Sequence, residues 1–228
     1  MVRRAEAIAA GPEAYLLRLA RRGHVTVTGE ERMSLVDRVK GILMAPRKEW
    51  PVIDAEPATT ASIFTGYIIP LAAIPAIAGF IGWSLIGGSV LGVSIRVPVS
   101  TGITGAIVRY LLSLVSCYVL ALIIDALAPS FGGTKNSIQA LKVAAYSSTA
   151  AWVAGIFSIL PSLSILGILG LYSLYLLYLG LPVLMKSPQE KAVGYTVVVV
   201  LCAIVLFVVV GAVANRFIFP SGSPFTVR

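Results

Sequence analysis

The stretch Val143–Met185, VAAYSSTAAWVAGIFSILPSLSILGILGLYSLYLLYLGLPVLM, carries no charged residue. As one helix its 43 residues would be about 64 Å long at about 1.5 Å per residue, twice the roughly 30 Å hydrocarbon core of a bilayer. Pro161 and Ser162 stand at its middle, and proline interrupts the helical ladder by removing an amide donor. The stretch therefore reads as two membrane helices joined by a very short loop, which makes them antiparallel neighbours.

The rest of the chain fits this reading. Of 228 residues, 57% are hydrophobic and only 12% are charged, about half the usual share of roughly a quarter. Mean hydropathy is +0.91. These values exclude a soluble globular domain, a disordered chain and a disulfide scaffold. Further apolar runs bring the expected spans to five: Phe64–Ile86, Thr104–Leu127, Ala140–Leu160, Leu163–Leu184 and Gly194–Ala214. Each holds the roughly 20 residues that a crossing helix needs. Backbone groups in hydrocarbon must be satisfied internally, and continuous apolar runs rather than short alternating ones select helices over a barrel. The expected fold is all-α, a polytopic bundle of five transmembrane helices preceded by an amphipathic cytoplasmic helix. Residues 1–32 read as a basic N-terminal extension, 33–61 as a juxtamembrane helix and linker, 62–214 as the membrane domain and 215–228 as a short outer tail.

Charge is concentrated at the start. Ten of the 18 Lys and Arg residues and eight of the 10 Asp and Glu residues precede Ala58. With five spans and a cytoplasmic N-terminus, 14 cations lie inside and four (Arg96, Arg109, Arg216 and Arg228) outside, or six against four when only Arg47 and Lys48 of the N-terminal cations are counted, as the positive-inside rule prefers. The expectation is N-terminus in, C-terminus out, in a cytoplasmic membrane. Glu6, Glu13 and Arg18 interrupt any signal-peptide core. The net charge of +8 lacks the dense basic patch with interleaved aromatics that nucleic-acid binding requires. Cys117 and Cys202 both fall inside spans and read as small apolar fillers.

Leu35, Val36, Val39, Ile42 and Leu43 recur at helical spacing, with Asp37, Arg38 and Lys40 assigned to the opposite face. This helix is expected to end at Ala45-Pro46 and to lie on the inner membrane surface, with Arg47 and Lys48 near lipid phosphates and Trp50 at the interface. The alternative is a helix packed on the cytoplasmic end of the bundle. Met33 offers a second possible start for the chain.

Several local patterns converge on one family: Ala45-Pro46-Arg47-Lys48-Glu49-Trp50 after the amphipathic helix; Phe131-Gly132-Gly133 with Ala140-Leu141-Lys142 and Ala145-Tyr146-Ser147; and Tyr175 to Pro182 followed by Lys191-Ala192-Val193-Gly194-Tyr195. From about Met33 to Ala214 the chain resembles the bacterial branch of the Yip domain family, the Ypt/Rab-interacting membrane proteins. The resemblance implies a cytoplasmic N-terminus and association with other membrane proteins. In eukaryotic relatives it also implies partnership with Rab-type GTPases and effects on vesicle budding. The family's Asp-Leu-Tyr-Gly-Pro run is absent here, which argues against a Rab-type partner.

Candidate residues follow from chemistry that is costly in a membrane. Asp125 and Lys142 flank the loop between spans two and three and could pair, or each could snorkel to water. Gly132 and Gly133 precede a helix start, where a phosphate cradle or a plain turn could sit, though no P-loop spacing is present. Tyr146 and Ser147 belong to the family-like pattern. Ala151 and Gly155 form a small-xxx-small pattern suited to packing within the chain or to a homo-oligomer. Pro70 and Pro75 release the carbonyls of Gly66 and Leu71 in span one and could line a cavity. Tyr172, Tyr175 and Tyr178 form a stripe suited to packing. The only histidine is His24, and no metal set, cofactor motif or enzyme motif can be assembled. The expected function is a non-enzymatic membrane organiser or partner-binding protein; the alternative is a small transporter or channel.

Overall fold

A computed structural model describes residues 34–90 and 93–218, leaving aside the side chains of residues 89–95. The basic leader 1–32, Met33, His24 and the tail beyond 218 lie outside the described residues.

The segment before the first span is two helices, not one. Helix α1 (Leu35–Met44) is followed by α2 (Pro46–Ala55). Pro46 was expected to end the segment, but it opens the second helix. Proline suits the first helical position, where its missing amide would have had no partner. Neither helix stands free: Ile42, Trp50 and Ile53 are completely buried against the bundle. Trp50 is thus a core residue and not an interfacial one, and Arg38, assigned to the polar face, is only 5% exposed. Val36, placed on the apolar face, points outward.

Four helices among the described residues are long and apolar enough to cross a membrane: α3 (Thr60–Ile86), α4 (Val99–Leu127, continued by a 3-10 turn to Phe131), α7 (Pro161–Leu184) and α8 (Gln189–Ile218). A reciprocal capping box of Thr59 and Ser62 opens α3. Pro70 follows a π-helical turn, Phe64–Ile68, that takes up the ladder mismatch proline creates. At its far end Arg96 donates to the carbonyls of Ser84 (3.0 Å) and Leu85 (2.6 Å), which have no partner further along α3. The α3–α4 connection contains a short antiparallel hairpin, β1 (Gly88–Val90) and β2 (Val93–Ile95), pairing Gly88 with Ile95 and Val90 with Val93. The hairpin is a small addition to the expected all-α fold, and its pairing satisfies backbone groups that a bare loop would leave open.

The expected third span, Ala140–Leu160, is not a continuous helix. It comprises α5 (Ser137–Ser147), α6 (Thr149–Ala154) and a 3-10 turn, Gly155–Ile159. The break falls where three successive hydroxyls bond back to their own helix. Ser147 and Ser148 both donate to the carbonyl of Ala144, and Thr149 donates to that of Tyr146. Val143, Ala144 and Ala145 are nonetheless fully buried, so this segment is the centre of the bundle. Its small residues pack within the chain: a Cβ on Gly155 would come within 2.5 Å of Pro75, and one on Gly170 would meet Ala151 at 3.2 Å. The first 11 residues of α7, Pro161–Leu171, are 3-10 helix.

Candidate functional site

The ionic residues gather where α1 and α2 dock. Helix α2 ends with free carbonyls and the negative end of its dipole. Lys142, on α5, supplies the cation: Nζ donates to the carbonyls of Ile53 (2.7 Å) and Glu56 (2.6 Å). Gln139, one turn earlier on α5, donates from Nε2 to the carbonyl and the carboxylate of Asp54, both at 3.1 Å. Asp54 also pairs with Lys186, just past the end of α7. Helix α5 thus presents two donors, at 139 and 142, to the end of α2.

Arg38 ties α1 to α2. Its guanidinium donates to Glu49 at 2.6 Å and pairs with Glu56. Burial works against the Arg38 charge, but the Glu56 hydrogen bond and the nearby Glu56 and Glu49 carboxylates outweigh it, so its pKa is raised and it stays protonated. The guanidinium also lies 5.9 Å from the ring centroid of Tyr146. Tyr146 forms an aromatic cluster with Trp50, edge-on at 6.4 Å, and with Tyr67 at 4.4 Å. The Tyr67 hydroxyl shares a 2.6 Å hydrogen bond with Thr149. Gly180 makes room for the Trp50 indole: a Cβ there would lie 2.7 Å from the ring.

Asp125 and Lys142 do not form the ion pair that their flanking positions suggested. Asp125 accepts from the backbone amide of Asn136 at 2.7 Å. Asn136 in turn caps α5 through the amide of Gln139. Lys142 does not snorkel either, since only 2% of it is exposed. Gly132 takes a left-handed conformation, φ 72°, and the amides of Gly132, Gly133 and Thr134 donate to the carbonyls of Pro129, Ala128 and Met185. All three amides are engaged, so this is a turn and not an anion cradle. Ser147 is buried and bonded within its helix. Pro70 and Pro75 lie apart from the docked helices, with Pro75 against Gly155.

The Arg38–Glu49, Arg38–Glu56 and Asp54–Lys186 pairs and the Trp50–Gly180 contact were not anticipated. Their partners lie 11, 18, 132 and 130 positions apart, respectively, so no short motif marks them.

Long apolar helices around a small-residue centre define a polytopic α-helical membrane protein. The chain belongs to the Yip1 domain family, whose domain matches residues 40–210, from within α1 to late in α8. It is similar to the inner membrane protein YohC of Escherichia coli K12, with 26% identity over 127 residues. That match covers 55% of this chain and 65% of YohC, just under two thirds of the relative's length. YohC of E. coli O6:H1 strain CFT073 matches with the same figures. No solved structure matches the chain.

Proposed function

We propose that this protein is a non-enzymatic organiser or partner-binding protein of a bacterial inner membrane. The observation that carries the reading is the close contact of α3 with the Gly155–Ser158 end of the 137–159 segment, beyond the stretch at Ser148 and Trp152 that borders a groove. Gly155 lies against Pro75, and a Cβ on Gly82 would fall 1.9 Å from the Ser158 carbonyl. A solute path that continued between these elements towards the β-hairpin would meet that contact, and neither Gly66 nor Leu71, whose carbonyls the prolines release, lines a cavity described below. The α1–α2 pair, anchored by Arg38 and Lys142, is a fixed platform whose outer side carries Val36, Met44 and Val52. Other membrane proteins, or a second copy of the chain, are the partners proposed for it. Without an Asp-Leu-Tyr-Gly-Pro run, a Rab-type GTPase is not among them.

Five crossings belong to this reading, with the N-terminus cytoplasmic and the C-terminus outside. Support comes from the ends of the 137–159 segment: Asn136 sits beside Asp125 at the docked end, and Ser158 beside Gly82 near the β-hairpin. Its 23 residues would span about 35 Å as helix. The kinship to an inner membrane protein supports the location.

A second reading, a small transporter or channel, draws on a groove between α3, α4 and α8 that Ser148 and Trp152 of the 137–159 segment also line. Two experiments separate them. Pull-down of the full chain in mild detergent, with mass spectrometry, should return the same membrane proteins from independent preparations, and Met44→Glu should lose them. Purified protein in liposomes should show no solute flux above protein-free vesicles; robust flux overturns the organiser reading. A C-terminal reporter active in the cytoplasm overturns five crossings.

A further inference from the structure

Two cavities, of about 540 and 680 Å³, lie between α3, α4 and α8 and share Pro75, Ala76, Arg109 and Asn215 as walls; Ser148 and Trp152, at the α5–α6 break, also line the first. Both volumes fall in the range of small-molecule sites, about 300–1,000 Å³. We propose that this groove binds one anionic phospholipid of the surrounding bilayer, its phosphate on Arg109 and an acyl chain lying along α4 and α8 towards Leu120 and Ala203.

Arg109 is the only cation on α4, and it is exposed. Among the described residues it makes no hydrogen bond or ion pair. A charge inside a membrane helix calls for a partner, and a basic site between helices is a natural seat for an acidic headgroup. Depth agrees with this. Arg109 and Asp125 are 16 residues apart on α4, about 24 Å, slightly less than the roughly 30 Å hydrocarbon thickness. Each charge is therefore within side-chain reach of one interface, with Arg109 at the β-hairpin end. Arg216 lines the neighbouring cavity at the same end.

Below Arg109 the groove suits a hydrocarbon chain. From Arg109 to Leu120 it follows 11 residues of α4, about 16 Å, close to the roughly 15 Å depth of one leaflet. The serine hydroxyls in its wall are already bonded: Ser113 donates to the carbonyl of Tyr110 at 3.0 Å, Ser116 to that of Leu112 at 2.6 Å and Ser148 to that of Ala144 at 2.7 Å. Leu206, Phe207 and Val210 of α8 form the opposite wall. Gly211 also lines the groove, and a Cβ there would meet no atom within 4 Å. A side chain at this position therefore starts in open space on the groove wall.

The test uses the full chain reconstituted in nanodiscs of equal phosphatidylglycerol and phosphatidylcholine, re-extracted, and read by native mass spectrometry for retained lipid. The wild type should keep one phosphatidylglycerol per chain, at least tenfold over phosphatidylcholine. Arg109→Gln should bring that ratio to within twofold of one, and Arg109→Lys should keep a preference. Gly211→Leu should retain neither lipid, whereas Gly66→Leu, at an exposed position away from the groove, should behave as wild type. Equal retention of the two lipids by the wild type, a preference that survives Arg109→Gln, undiminished lipid on Gly211→Leu, or a free fatty acid as the retained mass would each overturn the proposal. Should Arg109→Gln fail to fold, the wild-type ratio and the Gly211→Leu result decide it.

Discussion

The ammonium of Lys142 and the carbonyl of Ile53, 89 positions apart in the chain, meet at 2.7 Å. One buried cation from the centre of the bundle thereby closes the carbonyl end of a helix that precedes the first span. The same nitrogen reaches Glu56 at 2.6 Å, so the turn out of α2 and the helix end share one donor.

Lys142→Met should loosen the α1–α2 pair without unfolding the bundle. It leaves buried carbonyls unsatisfied, and hydrogen bonds to charged groups contribute about 1.5–3 kcal/mol each in net terms. Hydrogen exchange should speed up at least tenfold over residues 38–55 and change little in α8. Uniform acceleration along the whole chain would contradict local docking.

Gly180→Ala should push the Trp50 indole from its seat, because the new methyl would lie 2.7 Å from the ring. Overpacking of this kind costs about 1–3 kcal/mol. With Trp83 and Trp152 replaced by Phe, the remaining emission of Trp50 should shift to the red. Trp50→Phe should recover much of the stability lost in Gly180→Ala, which a double-mutant cycle would register as coupling between the two sites.

Asp125 and Lys142 should be energetically independent. The cycle formed by Asp125→Asn, Lys142→Met and the double variant is expected to give a coupling below about 0.5 kcal/mol, as for sites that share no partner. Asp125→Asn alone should be mild, since an amide oxygen can still accept from the Asn136 amide. Strong coupling would restore the ion pair that their flanking positions suggest.

Gly82→Ala should be among the most damaging small substitutions in α3, whereas Gly79→Ala, three residues away, should be nearly neutral or slightly stabilising. A methyl at 82 would fall 1.9 Å from the Ser158 carbonyl, and one at 79 meets nothing within 4 Å. In an otherwise helical segment alanine is favoured over glycine by about 1 kcal/mol. Yield of folded protein and thermal midpoint in detergent would show the contrast.

The membrane helices and the polar break at Pro161 were legible because hydropathy and proline act locally. Lys142 was legible as unusual, since a lysine beside an apolar run must find a partner. Its partners were not, because they are backbone carbonyls of Ile53 and Glu56, and backbone acceptors exist at every position. Of the two readings open for Asp125, pairing with Lys142 fails for the same reason: the carboxylate accepts from the Asn136 amide. The failure of Ala140–Leu160 to form one helix had a local signal, the Ser147-Ser148-Thr149 run, but hydroxyls in membrane helices also bond across helix interfaces. Trp50 beside Arg47 and Lys48 has the composition of an interfacial anchor, and only the gap at Gly180 draws it into the core.

The amino-acid sequence by itself determined the solvent. Long uncharged runs cannot be placed in water, and their backbone groups cannot be satisfied in lipid except as helices, so a polytopic helical protein follows from local composition. Tertiary structure alone decided what the few charges do. Arg38, Glu49, Asp54, Glu56, Lys142 and Lys186 lock one helical pair to the bundle, and Arg109 is left facing a groove. That division has a physical cause: burying apolar area needs no particular partner, whereas a buried charge is stable only against specific atoms at hydrogen-bond distance, and those atoms are brought together by the fold.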